Sequence, residues 1–397
     1  MKKSNRRLLE IMIIVFVSVF IGMLGGAATI YTIDYNVNKK NNDVSISKID
    51  EIDTVFNKIV NEYYADVDQN KLIEGAVSGM LSVLDSNTSY IDKTNTINFN
   101  NKMNGEYYGI GIEALTINET GTLVVSVVPD SPAERSGIKE GDIIIEADGN
   151  SLKNAPATYF TSLVSKTSTE IKLVITRGNK NLNISVKPEK VIISSVDTNK
   201  FVVNNKNVGY IKISLFAANT ASQFAKKLKE LEETGIDSLV IDVRNNSGGY
   251  LSTASTILEM FMKKGTVLYK IESKNTTQTR EDNTEEHRDY PVAILVNGSS
   301  ASASEILAAC FNENLQSEIV GNTTYGKGTV QETVNVLEGS MAKITTKKWL
   351  TPKGNWVHEI GIMPTIGVTA SNKYVENPIY ANDNQLERAI NALTIGK

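Results

Sequence analysis

The chain has 397 residues, of which 41% are hydrophobic and 22% are charged, and its net charge is −4. This length gives room for two or three domains and at least one large core. Because the sequence contains no basic block, nucleic acid is not an expected partner, and the single cysteine excludes an internal disulfide.

The first 34 residues predict a membrane anchor. Four basic residues within the first seven positions precede a run without charge at 11–33. Such a run exceeds the roughly 20 residues that cross a hydrocarbon core, whereas a signal peptide has an apolar stretch of only about 7–15. We therefore expect residues 1–34 to hold the chain in the cell membrane as a single-pass protein, with the rest of the chain on the extracytoplasmic side. The small residues at 25–28 leave cleavage of this segment open as an alternative.

Residues 35–104 are predicted to form a polar linker followed by helices. Apolar residues from Ile52 to Tyr63 recur at helical spacing, and a second helical pattern covers about 69–84. Neither pattern contains residues that indicate chemistry. We expect these helices to cover another surface or to pair with a second copy of the chain in a homodimer.

Residues 105–188 alternate between short strand patterns and two short helices. Ser131 and Glu134 form a capping-box pattern with proline at the first helical position. The order of "YGIGI" and "SPAERSGIKEGDIIIEADG" resembles that of a PDZ domain. The resemblance implies capture of a peptide as an added strand, with its terminal carboxylate held by loop N–H groups. On this resemblance the loop residues are Gly109, Ile110, Gly111 and Ile112.

Residues 189–397 show alternating strand and helix patterns, which indicate a mainly parallel sheet flanked by helices. Two turns rich in small residues, at 245–249 and 297–305, follow buried strand patterns. Ligands of such sheets gather at the carboxyl ends of the strands. The two turns therefore mark the expected site.

The stretch "GNTTYGKGTVQ" at 321–331 nearly matches a phosphate-binding loop. Gly328 stands where that loop needs Ser or Thr, and a strand pattern follows where it needs a helix. A buried lysine has a lowered pKa and can act as a general base, so Lys327 is a candidate for that role. The alternative is an exposed loop charge. Gln331 lies on the same face of the predicted strand and can address the same site.

The stretch "SSASASE" at 299–305 supplies candidate nucleophiles at a strand end. Ser302 and Glu305 match a capping box, so Ser302 could serve only as a helix N-cap. A serine at a helix N-terminus is also well placed for acyl transfer, because the N–H of Ala303 could stabilise an oxyanion. A second N–H donor could come from Gly248 or Gly249, where the absence of a side chain allows close approach.

Other catalytic classes find little support in the sequence. The two histidines lie in no metal-binding pattern, so we expect neither a metal nor a cofactor. The residue counts leave a Ser–His–Asp arrangement open, but no G-x-S-x-G turn surrounds the serines.

Three stretches, "IDVRNNSGGYL", "SASASEILAACF" and "GNTTYGKGTVQ", resemble the signature of the carboxyl-terminal processing peptidases. The resemblance covers nearly everything after about residue 50. It implies an α/β protease core of the ClpP/crotonase-like type with an inserted PDZ domain. It also implies a nucleophilic Ser and a general-base Lys 25 residues apart, which selects Ser302 and Lys327, with Gln331 orienting the lysine.

On this resemblance the chain is predicted to be a membrane-anchored serine endopeptidase that recognises substrate C-terminal ends through its PDZ domain. Its expected partners are protein or peptide substrates and the membrane. The alternative, from a different class, is a catalytically inactive PDZ adaptor tethered to the membrane.

Overall fold

A computed structural model describes residues 48–337 and 339–395, and the contacts within it divide the chain into two units, Met1–Met80 and Leu81–Lys397. In the first unit, helix α1 covers 48–62, and helix α2 (Gln69–Ser82) begins there and ends in the second unit. Both predicted helices are thus confirmed. Ile49, Ile52 and Val55 are 62%, 48% and 59% exposed, so α1 presents apolar side chains to solvent.

The structure corrects the prediction of a membrane-spanning helix. Within 48–337 and 339–395, no helix combines the length and the apolar character that crossing a bilayer requires. For example, α2 has 14 residues, about 21 Å at 1.5 Å per residue, against a hydrocarbon core of about 30 Å. The uncharged run at 11–33, on which the expectation was based, lies outside the described residues.

The PDZ-like module is an antiparallel sheet in the order β3-β4-β5-β7-β8, with β6 paired to β5. Ser131 caps α4 by accepting the N–H of Glu134, as the sequence predicted, but the Glu134 carboxylate accepts the N–H of Asp130 instead of the Ser131 N–H that completes a capping box. A thirteen-residue core that includes Val124, Ile144 and Phe160 fills the module. Its elements are β3 (Ile112–Ile117), β4 (Gly121–Val127), α4 (Pro132–Arg135), β5 (Ile143–Ala147), β6 (Asn150–Ser151), α5 (Ala157–Lys166), β7 (Ile171–Arg177) and β8 (Lys180–Val186).

A two-stranded ribbon joins this module to the rest of the unit. Helix α3 (Lys93–Asn104) leads into β2 (Glu106–Gly109), which pairs antiparallel with β9 (Glu189–Ile192). Gly105 ends α3 in the left-handed region, at φ 72°, and its carbonyl accepts the side-chain amide of Asn219 at 2.7 Å. The chain therefore enters and leaves the module at neighbouring points.

The core sheet has the order β10-β11-β12-β15-β16-β19 and is parallel from β11 onward. Along β12, Leu239 and Ile241 pack into the core with α6, α7 and α8, while Val240 faces α10 on the opposite side. The predicted parallel sheet flanked by helices is thus confirmed. The strands are β10 (Val196–Val203), β11 (Lys206–Ile213), β12 (Ser238–Asp242), β15 (Val292–Val296), β16 (Glu318–Gly321) and β19 (Ile366–Gly367); the helices are α6 (Thr220–Glu233), α7 (Leu251–Glu259), α8 (Ala303–Leu315), α9 (Asn372–Glu376), a 3-10 turn (Tyr380–Asn382) and α10 (Asn384–Thr394).

A second, antiparallel sheet carries two strands whose residues line the predicted site. Its long strand β18 (Met341–Leu350) pairs antiparallel with three others: β1 (Ser89–Ile91), β13 (Val267–Glu272) and β17 (Thr329–Asn335). Strand β14 (Thr277–Glu281) pairs with β13. A bulge between Val330 and Gln331 shifts the register of β17 against β18. Such bulges re-aim side chains next to active sites.

A buried ion network fixes the end of β12 to the start of α10. The Arg244 guanidinium donates to Asp242 and to Asp383 at 2.6 and 2.7 Å, and Arg244 itself is 6% exposed. Tyr210 donates to Asp242 at 2.7 Å, and Gln385 accepts from Arg244 at 3.0 Å. Burial opposes the charge on Arg244, but Asp242 and then Asp383 outweigh it and raise the pKa of the guanidinium. Arg244 therefore stays charged despite its burial.

We expect Arg244→Met to lower the free energy of unfolding by about 3–5 kcal/mol, because two buried carboxylates would lose their counter-ion. Arg135→Met is the matched control, since the Arg135–Glu189 pair is about half exposed and should be worth less than about 1 kcal/mol. Urea unfolding of both variants measures the difference. Equal losses for the two variants would contradict a structural role for the network.

Candidate active site

The site is a cavity of about 850 Å³ between α3, the 247–252 turn and β17. Ser302 and Lys327 both line it, although they come from loops that follow different strands of the core sheet. The remaining lining residues are Phe99, Asn100, Lys102, Met103, Leu215, Ser247, Gly248, Gly249, Tyr250, Leu251, Ser252, Thr329, Val330, Gln331, Glu332, Thr333, Val334 and Lys343.

The loop after β15 exposes one serine to the cavity and fixes two others in the core. Ser300 donates to the carbonyl of Val243 at 2.8 Å, and Ser304 donates to that of Asn246 at 2.9 Å; both serines are fully buried. Ser302 lies between them at the N-cap of α8, with φ 54° and ψ −113°. That region is sparsely populated for a residue with a side chain and costs on the order of 1–3 kcal/mol. The flanking serines hold the loop in this strained conformation.

The buried carboxylate of Glu305 joins the serine loop to the lysine loop. One oxygen accepts the N–H groups of Ser302 and Lys327, each at 2.8 Å. The other accepts the hydroxyl of Thr324 and the N–H of Gly326, each at 2.6 Å. Four donors therefore satisfy a carboxylate with no exposed surface. The sequence indicated Glu305 only as a capping partner and gave no signal for its contacts with the second loop.

The backbone of the glycine turn approaches Ser302 and Ala303 closely. A side-chain carbon added to Gly248 would lie 2.9 Å from Ser302 Cβ and 3.2 Å from the Ala303 nitrogen, so only glycine permits this approach. The Gly248 N–H already donates to Asn246 Oδ1 at 2.9 Å. In the described part of the chain, the N–H groups of Ala303 and Gly249 have no acceptor. Both donors are therefore unused within the described residues; Gly249 lines the cavity, and Ala303 is fully buried.

Lys327 is half-buried beside the cavity, and its carbonyl accepts the indole N–H of Trp349 at 2.8 Å. Burial lowers the pKa of Lys327, and the positive charge of Lys343 lowers it further, while Asp85 and Glu305 act in the opposite direction. Within the described residues, no hydrogen bond joins its Nζ to Ser302 Oγ. Catalytic hydrogen bonds often form only with substrate in place.

Gln331 lies on β17 and also lines the cavity. Its amide nitrogen donates to the hydroxyls of Thr329 and Thr345 at 2.9 and 3.1 Å. Thr345 in turn donates to Asp85 at 3.1 Å. Because both amide hydrogens are engaged, the amide oxygen is left to accept a bond from another group.

The predicted peptide-binding loop connects β2 to β3. Gly109 is the last residue of β2, and Ile112 is the first of β3. Between them Ile110 is buried, and its carbonyl accepts the Ala133 N–H at 2.8 Å; Gly111 has φ 87° and packs against Ser131. Strand β3 is an edge strand of its sheet and is contacted by α5. This is the edge to which a peptide strand can add.

Sequence reasoning missed three contributors to the site. Helix α3 forms one wall of the cavity, although nothing in its sequence indicates a role there. Asn246 is fully buried, and its side chain bridges the Ile213 carbonyl and the Gly248 N–H. Its position in the "NNSGG" turn was the available signal. Lys343 lines the cavity from β18, and only the fold places it there. Within the described residues, no cluster of metal-ligating side chains is present.

Family models match three consecutive parts of the chain: the activating protease CtpB N-terminal domain at 18–95, a PDZ domain at 96–176 and peptidase family S41 at 207–368. The chain is 38% identical over 336 residues to the carboxy-terminal processing protease CtpB of Bacillus subtilis (strain 168). These aligned residues make up 83% of this chain and 70% of CtpB. The chain is 33% identical over 334 residues to the carboxy-terminal processing protease CtpA of the same organism, and these residues make up 83% of this chain and 71% of CtpA.

An S41 protease structure from Bacteroides fragilis NCTC 9343 is similar in fold, with a TM-score of 0.52 and 17% identity over 83% of this chain and 92% of that one. The fold, the family models and the two Bacillus relatives agree. The chain belongs to peptidase family S41 and is a carboxy-terminal processing serine peptidase with a PDZ domain.

Proposed function

We propose that this peptidase cleaves by a Ser–Lys dyad of Ser302 and Lys327. The observation that carries the proposal is the carboxylate of Glu305, which accepts the backbone N–H of both residues and so fixes their loops at one cavity. The lowered pKa of Lys327 supports its role as a base, because a neutral amine is needed to accept a proton.

In the proposed reaction the Ser302 hydroxyl attacks the substrate carbonyl carbon while Lys327 takes the hydroxyl proton. The oxyanion that forms is stabilised by the N–H groups of Ala303 and Gly249. Lys327 then gives its proton to the departing amine, and the C–N bond breaks to leave an acyl-enzyme. Water, deprotonated by the same lysine, hydrolyses the ester. Gln331 orients the amine by accepting a hydrogen bond from Nζ.

Substrate selection is assigned to the PDZ domain. The edge strand β3 and the loop of residues 109–112 support binding of a peptide C-terminus by strand addition. The exposed apolar residues of α1 support a homodimer formed through the N-terminal helices. An extracytoplasmic location of the catalytic domain is proposed from the sequence alone.

We expect Ser302→Ala and Lys327→Ala each to lower kcat/KM by about 10⁴-fold or more, since each removes a reacting group. Lys327→Arg should be equally inactive, because arginine keeps the charge and cannot become a base. Ser299→Ala, with an exposed side chain in the same loop, is the matched control and should keep its activity. Peptide cleavage and labelling by a serine-reactive covalent probe measure the effects. Activity in purified Lys327→Ala would refute the dyad, and a wild-type protein without cleavage or labelling would favour an adaptor.

Glu305→Gln is expected to lower kcat/KM by about 100-fold while the chain still folds. The amide nitrogen cannot accept a hydrogen bond, so whichever carboxylate oxygen it replaces, two of the four donors on this side chain lose their acceptor. Glu313→Gln on the same helix, away from the cavity, is the control. Circular dichroism checks the fold, and separate kcat and KM values locate the loss. Wild-type kcat in Glu305→Gln would show that the carboxylate does not position the dyad.

For a neutral peptide, kcat/KM should rise with pH through an apparent pKa below the ordinary value of lysine, because only the neutral amine acts as base. The charged groups that affect Lys327 are Lys343, Asp85 and Glu305. Lys343→Gln removes a like charge, which should raise the pKa of Lys327 and move the acidic limb to higher pH. Asp85→Asn removes an opposite charge and should move it to lower pH. Shifts of the opposite sign in both variants would exclude Lys327 as the titrating base.

A further inference from the structure

The catalytic cavity carries more positive charge than its own carboxylates balance. Its charged lining residues are Lys102, Lys327, Lys343 and Glu332. The carboxylate of Glu332 is already paired at 2.5 Å with Lys347, which does not line the cavity. Among the described residues, neither Lys102 nor Lys343 has a carboxylate within 4.0 Å. The cavity therefore holds cations without counter-ions.

Lys343 has a fixed position in the wall. Its backbone lies on β18 between Ser89 of β1 and Thr333 of β17, so strands pair with it on both sides. Its side chain is half-buried. Thr345 lies two residues along the strand and hence on the same face. Its hydroxyl accepts a hydrogen bond from the Gln331 amide and donates one to Asp85. Lys343 thus faces the reaction site from a rigid element.

A partly buried ammonium group without a partner loses hydration and regains nothing for it. This cost is offset when a ligand brings the missing negative charge into the cavity. Lys102 lies in the last turn of α3, on the wall contributed by that helix, so an extended chain crossing the cavity would pass between two walls that each present an amine.

We infer that Lys343, assisted by Lys102, binds a carboxylate of the substrate inside the catalytic cavity, so that the enzyme favours peptides with an acidic group near the scissile bond. This inference rests on the proposed function. The carboxylate can come from an Asp or Glu side chain or from the C-terminus of the substrate. Both sources offer the same chemistry to an ammonium group.

The test uses internally quenched peptides in which Glu replaces Gln at each position from four before to four after the scissile bond. Each peptide is made with a free C-terminal acid and with a C-terminal amide. At one or more positions, or with the free acid, we expect kcat/KM to exceed that of the neutral partner by about 10-fold at low salt and by less at high salt. The favoured position, or the free acid, identifies the source of the carboxylate.

Variants assign the preference to the lysines. Lys343→Gln should reduce the acidic-to-neutral ratio to about one, Lys343→Arg should retain it, and Lys102→Gln should lower it in part. Lys353→Gln, an exposed lysine outside the cavity, is the matched control and should leave the ratio unchanged. Because the readout is a ratio within one protein preparation, a partly unfolded variant does not distort it.

Two results would overturn the inference: no acidic preference at any position in the wild type, or an undiminished ratio in Lys343→Gln. Its failure is separable from failure of the proposed function. If the wild type cleaves neutral peptides and Ser302→Ala does not, the dyad stands while carboxylate recognition falls. If Ser302→Ala cleaves as well as the wild type, the dyad itself is wrong.

Discussion

The two loops that meet at the cavity depend on a single buried carboxylate. Glu305 lies in the first turn of α8 and accepts bonds from the serine loop behind it and from the lysine loop beside it. Burial of a charge is costly unless every lone pair is used, and here four donors use them. The distance between the serine loop and the lysine loop is thus set by the shape of one side chain. Small shifts in either loop would leave a donor or an oxygen unpaired.

The strained backbone at Ser302 is also held in place by the contacts of its neighbours. Its backbone conformation is unfavourable for any residue with a side chain, and it persists because the neighbouring residues leave no alternative. Ser300 and Ser304 are anchored to the turn after β12, and the Ala301 N–H donates to Asn246 at 3.0 Å. The serine loop and the glycine turn therefore support one another. Together they hold Ser302 at the wall of the cavity, at the N-cap of α8.

Sequence reasoning reached the fold because buried strands and their turns leave local signals. Buried strand patterns ending in turns of small residues predicted the parallel sheet. Ser302 and Lys327 were selected by the resemblance to the carboxyl-terminal processing peptidases, and the structure brings both to one cavity. Contacts between distant segments leave no such signal. Helix α3 and Lys343 reach the cavity only through the tertiary arrangement, and the four bonds of Glu305 join residues up to 22 positions apart. The membrane-spanning helix followed from hydropathy alone, and no helix in the described residues supports it.

The ribbon of β2 and β9 has a consequence for how such a protein can be assembled from parts. Gly109 lies opposite Glu189, so the eighty or so residues between them begin and end at the same place. A short turn could close that gap without disturbing the core sheet, because neither strand of the ribbon belongs to it. Segments with adjacent ends are the ones that can be gained, lost or exchanged as a unit. The PDZ domain can thus diverge, or be replaced, while the peptidase core remains unchanged.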